Sequence, residues 1–234
     1  MALELEARIS EVIQRTYNVK SVRLKIDSVI DFKAGQFLSV TLLNNPALKR
    51  YLSISSSPTE GAYLEFTKRI TASDFSKALD ELKPEDNVRI QYPMGKFTLG
   101  ESREKLVFLS GGIGITPLRS MAKFVVDKNL GTDIVLVYAN RSIKDIVFKE
   151  DFDAMQKAYQ KLRVIHVLCE PDPSFKCLPG LINAQLIKSE IKDYLERKFY
   201  LCGPPPMVEA MRKMLAEELS LAKDNIITEN FQGY

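Results

Sequence analysis

No two cysteines in this sequence stand at C-x-x-C spacing. Only Cys169, Cys177 and Cys202 are present, so the chain builds neither a fully paired disulfide framework nor a four-thiolate iron–sulfur cluster. A single histidine, His166, leaves too few ligands for a zinc site, and no metal is expected. No window reaches the ~18 uninterrupted apolar residues of a membrane span. The opening stretch, MALELEARISEVIQRT, alternates charged and apolar residues and lacks the basic end, apolar run and cleavage site of a signal peptide. A cytoplasmic chain is therefore expected. Basic runs are missing as well: 33 Lys and Arg are interspersed with 30 Asp and Glu for a net charge of +3, so nucleic-acid binding is not expected.

What is present is ordinary globular material, 45% apolar and 27% charged, in 234 residues. Domains usually run about 100–150 residues, which makes two compact units the expectation. From residue 4 to about 92, short apolar alternations such as Val22–Leu24–Ile26, Phe37–Ser39–Thr41 and Leu64–Phe66 point to an antiparallel β-barrel. One stretch departs from alternation. Apolar residues at 75, 78, 79 and 82, behind Ser73 and Asp74 as caps, predict one short helix on that barrel.

Beyond residue 100 the pattern becomes strand, loop, helix, repeated. Leu106–Ser110, Ile134–Tyr138, Val164–Leu168 and Phe199–Leu201 read as strands, followed by helical stretches at Leu118–Val126, Phe148–Tyr159, Ala184–Leu195 and Met207–Leu219, and Ile226–Thr228 reads as a last strand. Such alternation marks an α/β unit with a parallel sheet and crossover helices. The polar run GESREK places the boundary near residues 100–105, giving units 1–102 and 103–234.

Four segments carry chemistry. Ser110–Gly111–Gly112–Ile113–Gly114–Ile115–Thr116–Pro117 lies where a strand ends and a helix begins. Glycines there allow positive φ and close backbone approach, and the helix start favours a pyrophosphate; a tight turn needing glycine for packing alone is the alternative. Leu201–Cys202–Gly203–Pro204–Pro205–Pro206–Met207 leaves the same sheet edge. Its prolines would stiffen a loop presenting a neutral thiol to a ligand crevice, or would simply start a helix over a buried Cys202. Together the two loops would grip one extended nucleotide.

Arg50–Tyr51–Leu52–Ser53 opens a barrel strand with a guanidinium fork suited to phosphate, although an exposed edge-strand arginine is also common. The helix start at Ser73–Ser76 would offer amides to a second phosphate. At the end of the sequence, Glu229–Asn230–Phe231–Gln232–Gly233–Tyr234 follows the last strand and would emerge beside Cys202.

With Phe32–Lys33–Ala34–Gly35–Gln36–Phe37, Phe66–Thr67–Lys68–Arg69, Tyr92–Pro93–Met94–Gly95 and Tyr138–Ala139–Asn140–Arg141–Ser142 added, the ordered set resembles the ferredoxin–NAD(P)⁺ reductase superfamily over essentially the whole length. That resemblance implies an FAD-binding β-barrel domain (1–102) followed by an NAD(P)-binding α/β domain (103–234). It implies hydride transfer from NADH or NADPH to the flavin, with FAD favoured over FMN because Lys68–Arg69 and the Ser76 helix add a second phosphate-side surface.

By the same resemblance Arg50, Thr67, Lys68, Ser73 and Ser76 hold the flavin phosphates, and Ser53 lies against the ring between Tyr51 and Leu52. Gly112, Gly114, Thr116 and Arg141 take the nicotinamide nucleotide, while Cys202, Gly203 and Pro204 sit beside the nicotinamide. Glu229 handles a proton and Phe231 covers the flavin.

The sequence departs from the family's Arg-x-Tyr-Ser at one position, where Leu52 replaces the stacking tyrosine; alternation along the strand turns Tyr51 to the other face. Without a recognisable iron–sulfur, haem or membrane segment, the implied acceptor is a separate ferredoxin-like protein or a small molecule. A free-flavin reductase, and an electron-transfer or regulatory subunit of a larger complex, are the competing functions.

Overall fold

The computed structural model describes residues 3–26, 31–100 and 104–229. Its first sheet is antiparallel, built from β1 (Leu3–Thr16), β2 (Val19–Lys25), β3 (Phe37–Thr41), β4 (Lys49–Ser53), β5 (Leu64–Arg69) and β6 (Asn87–Met94). The strands lie in the order β4-β3-β6-β1-β2-β5, and an antiparallel bridge between Ile54 and Phe66 brings the two edges together into a barrel. Ile9, Val22, Leu24, Leu38, Val40, Ile54 and Phe66 fill it and are fully buried. The expected helix is α1 (Asp74–Asp80), capped by Ser73, whose side chain accepts from the Ser76 amide at 3.3 Å. It seats Phe75 and Leu79 in the barrel core.

The second sheet is parallel throughout, in the order β10-β9-β8-β7-β11-β12. It comprises β7 (Lys105–Gly111), β8 (Asp133–Asn140), β9 (Leu162–Leu168), β10 (Leu178–Pro179), β11 (Lys198–Cys202) and β12 (Ile226–Thr228). Near-continuous apolar runs such as Leu106–Leu109 suit strands covered on both faces. Helices α2 (Ile115–Lys128) and α3 (Lys149–Ala158) cover one face, while α4 (Ala184–Glu190) and α5 (Pro205–Glu217) cover the other. The strand order reverses between β7 and β11, so the helices that follow these neighbouring strands run to opposite faces of the sheet while their loops start side by side, the usual place for a ligand crevice.

Two expectations need adjustment. The helical stretch read across 184–195 ends at Glu190, because Ile191 leaves helical geometry at φ −128°, and a separate 3₁₀ turn covers Tyr194–Glu196. The two-residue β10 was not expected. Among the described residues, no helix is long and apolar enough to cross a membrane.

Candidate functional site

A cleft of about 550 Å³ opens where the barrel meets the carboxyl edge of the parallel sheet. Its barrel wall is β4, with Arg50, Tyr51, Leu52 and Ser53, and the end of β5, with Thr67, Lys68 and Arg69. Thr71 and Ser73, just before α1, extend this wall. The opposite wall is Gly112, Ile113 and Thr116, then Pro204 and Pro205, closed by Glu229.

The barrel wall holds three cations without an anion. Arg50, Lys68 and Arg69 form no ion pair among the described residues. The Arg50 guanidinium donates only to the Lys49 and Ala47 carbonyls, at 2.7 and 3.4 Å, and lies 5.4 Å over the Phe75 ring. Lys68 Nζ donates to the Arg69 carbonyl at 3.1 Å. Burial, followed by the Arg50 and Arg69 charges, holds the Lys68 ammonium below the usual lysine range. Arg69 Nε is buried with no hydrogen-bond partner. Repelling cations and an orphaned donor facing one cleft fit a phosphate or pyrophosphate.

Beside them Ser53 is buried at the end of β4, and the buried Thr67 hydroxyl is within 2.7 Å of Ser21 Oγ and 2.9 Å of Ser55 Oγ. Ser76 lies beneath the wall, fully buried and outside the cleft lining. Its hydroxyl is held by Thr71 and Ser73, at 3.1 and 3.0 Å. Tyr51 is 53% exposed, as alternation expects of a residue turned to the other face, yet it also borders the cleft. As β4 is an edge strand, its outer rim forms the mouth. The Tyr51 ring stands edge-on to Phe37, 6.0 Å between centroids.

On the nucleotide wall the glycine turn is held from below, where Tyr138 Oη donates to the Gly112 carbonyl at 3.0 Å. Gly112 adopts φ +53°, and a Cβ there would lie 3.2 Å from Arg69 Nη2. Gly114 has ordinary helical φ but no room: an added Cβ would meet the Cys202 carbonyl oxygen at 2.4 Å and Gly203 Cα at 2.5 Å. The two loops therefore touch backbone to backbone, and the packing alternative holds for Gly114. Thr116 Oγ1 donates to the Ile113 carbonyl at 3.1 Å.

Five of the expected residues stand apart from the cleft surface: Ser76 and Gly114, described above, and Cys202, Gly203 and Arg141. Cys202 and Gly203 are buried, and Arg141 is exposed and paired with Glu170 at 2.8 Å. Burial, reinforced by the Glu229 charge, pushes the Cys202 thiol well above its ordinary range. Burial alone raises the Glu229 carboxyl to about 7. Its amide donates to the Leu201 carbonyl at 3.1 Å, extending β12 so that the side chain meets the cleft. Phe231 lies outside the described residues.

Sequence reading left Phe37, Thr71, Ile113 and Pro205 off the set of site residues, and named Arg69 only with Lys68 as a phosphate-side surface. For Arg69 a signal existed in the basic pair at a strand end, where twist lets neighbours share one cleft.

Two family models cover the chain in tandem: the oxidoreductase FAD-binding domain over residues 6–99 and the oxidoreductase NAD-binding domain over residues 108–213. The glycine betaine monooxygenase reductase subunit of Pseudomonas aeruginosa is 32% identical over 217 residues, 89% of this chain but 59% of that protein. This chain thus spans about six-tenths of that relative. Among solved structures, the ferredoxin reductase in carbazole 1,9a-dioxygenase superposes with a TM-score of 0.86 at 25% identity, covering 99% of this chain and 70% of that one. The Amycolatopsis cytochrome P450 reductase superposes at 0.88 and 24% identity, over 99% and 71%. With its FAD-binding domain ahead of its NAD-binding domain, this chain belongs to the ferredoxin–NAD(P)⁺ reductase superfamily of oxidoreductases.

Proposed function

We propose that the chain passes hydride from NADH or NADPH to FAD held in the interdomain cleft, and electrons onward to a separate acceptor, a ferredoxin-like protein or a small molecule. The observation that carries this is the cluster Arg50, Lys68 and Arg69, which has no ion pair among the described residues and faces the Gly112–Thr116 turn across one cleft. Bound flavin supplies the hydride-accepting ring and the step from two-electron to one-electron transfer. In this reading residues 1–102 hold the flavin and residues 103–234 the nicotinamide nucleotide.

Arg50, Lys68 and Arg69 neutralise the flavin phosphates, with Ser73 at the far end. Ser53, Thr67, Leu52 and Tyr51 would line the ring. Gly112, Thr116 and Pro204 seat the nicotinamide nucleotide. Gly114, Gly203 and Cys202 act from behind, keeping the two loops in contact. The reductase role printed for the Pseudomonas aeruginosa relative supports an oxygenase system as the acceptor's setting. Three free cysteines support a reducing, cytoplasmic one.

A free-flavin reductase is the second reading, favoured by the apolar Leu52 where an aromatic cover would grip the ring. Anaerobic mixing of the FAD-loaded protein with NADH or NADPH is expected to bleach the flavin absorbance. Flavin that stays oxidised with both nucleotides refutes the proposal, and flavin that leaves on gel filtration after reduction selects the second reading.

Glu229 gives the reaction a pH signature. Its carboxyl titrates near 7 in the folded chain against an ordinary value of 4.5, so the folded state holds this proton through that window while the unfolded state has lost it. Folding stability therefore falls as pH rises from about 4.5 to about 7. The neutral acid is also the form able to donate a hydrogen bond or proton into the cleft. Flavin reduction is expected to slow as pH rises through 7, and Glu229→Gln to flatten that profile. An inflection near 7 that survives in Glu229→Gln would assign the titration elsewhere.

A further inference from the structure

The helix that starts at the glycine turn is tied to the loop that leaves β4. Arg119, on α2 one turn beyond Thr116, is 4% exposed. Its guanidinium reaches back into the barrel, donating to the Ser55 carbonyl at 3.1 Å and to both Glu60 carboxylate oxygens, the Nη2 bond at 3.1 Å. Its Nε donates to Asp151 on α3 at 3.1 Å. Next to it, Ser120 Oγ donates to the Ser56 carbonyl at 2.6 Å. Burial alone would raise the Glu60 carboxyl, yet the Arg119 hydrogen bonds and charge hold it below the usual range. The pair is thus ionised and joined across the domain boundary.

These contacts bracket the cleft. Ser55 lies two residues beyond Ser53 on the barrel wall, and Arg119 lies three residues beyond Thr116 on the nucleotide wall. One buried side chain therefore links the two halves of the site through hydrogen bonds. We propose that Arg119 is a positioning residue for hydride transfer, setting the spacing of the nucleotide turn from the β4 end through its fork to Ser55 and Glu60. This rests on the nicotinamide-to-flavin reading of the cleft. The planar fork matters because it bonds three groups from two domains in one fixed geometry, which a lysine ammonium at the same site does not reproduce. Hydride transfer is steep in distance, and a displacement of about 1 Å costs on the order of 100-fold in rate.

The test uses the FAD-loaded protein and stopped-flow reduction by the nucleotide that reduces wild type, run with protiated and 4-deuterated forms. Arg119→Lys is expected to slow reduction at saturating nucleotide by about tenfold or more. The deuterium isotope effect is expected to be fully expressed, with nucleotide dissociation constant and flavin content unchanged. Glu60→Gln, which leaves the Arg119 bonds to Ser55 and Asp151 in place, is expected to give a smaller loss of the same kind and carries the measurement if Arg119→Lys does not fold.

A lowered melting temperature with an unchanged reduction rate in both variants overturns the proposal, since that is what a purely structural tie produces. So does a rate loss that merely tracks lost flavin or nucleotide binding. Wild type that neither nucleotide reduces would instead refute the underlying reading of the cleft.

Discussion

Gly114→Ala is expected to destabilise the protein by about 2–3 kcal/mol and to weaken nucleotide binding by about 100-fold while the barrel still takes up flavin. The backbone conformation, φ −61° and ψ −7°, is open to alanine, so the whole effect is steric. A methyl group here would sit 2.4 Å from the Cys202 carbonyl oxygen and 2.5 Å from Gly203 Cα, where carbon contacts want about 3.5 Å or more. Both neighbours are backbone, so relief requires moving the Cys202–Pro204 loop away from the glycine turn. That displacement separates the two elements that form the nucleotide wall.

Gly111→Ala is the control. Its new methyl would meet the Met207 sulfur at 2.1 Å and its Cε at 2.9 Å, the far end of a flexible side chain that can swing aside. A thermal melt and an anaerobic nucleotide titration compare the two. Equal, small effects for both variants would show that the loops part easily and that their contact does not hold the wall.

Arg50→Ala is expected to lose flavin affinity by about 10- to 100-fold, in line with one strong charge-assisted contact to a phosphate. Its flavin-free form is expected to melt no lower than wild type. Among the described residues Arg50 makes only carbonyl hydrogen bonds and a ring contact, and its charge helps depress the Lys68 ammonium. Removing it therefore relieves repulsion in the empty cluster while removing a partner from the loaded one. The stability gained from added FAD should shrink, as binding linkage requires. Retention of stoichiometric flavin through gel filtration by Arg50→Ala would sink this assignment.

Local patterns in the sequence carry the elements around the cleft well. Phe37–Thr41, α1 and Ile226–Thr228 fall where alternation, capping and apolar runs place them, because those signals depend on neighbours a few residues apart. The glycine turn and the Pro204 loop are visible for the same reason. What escaped depends on contacts distant in sequence. Glu60 and Arg119 look like surface charges until two domains bring them together. Cys202 reads equally as a crevice residue or a buried one until its packing in the core is seen. Tyr51 obeys strand alternation but sits on an edge strand, where the outer rim meets solvent and cleft alike. The two-residue β10 offers too short a run for any periodic signal.

The depth of Cys202 has a chemical consequence for durability. A cleft that makes reduced flavin generates peroxide wherever dioxygen reaches it. Thiolates, and far less readily thiols, climb the oxidation ladder toward sulfenic and sulfinic acids. Fully buried and held protonated beside Glu229, Cys202 is poorly suited to that attack, whereas Cys169 is exposed to it. If the cleft reduces flavin as proposed, the fully buried sulfur at the end of β11 is the least exposed of the three to an oxidant formed there.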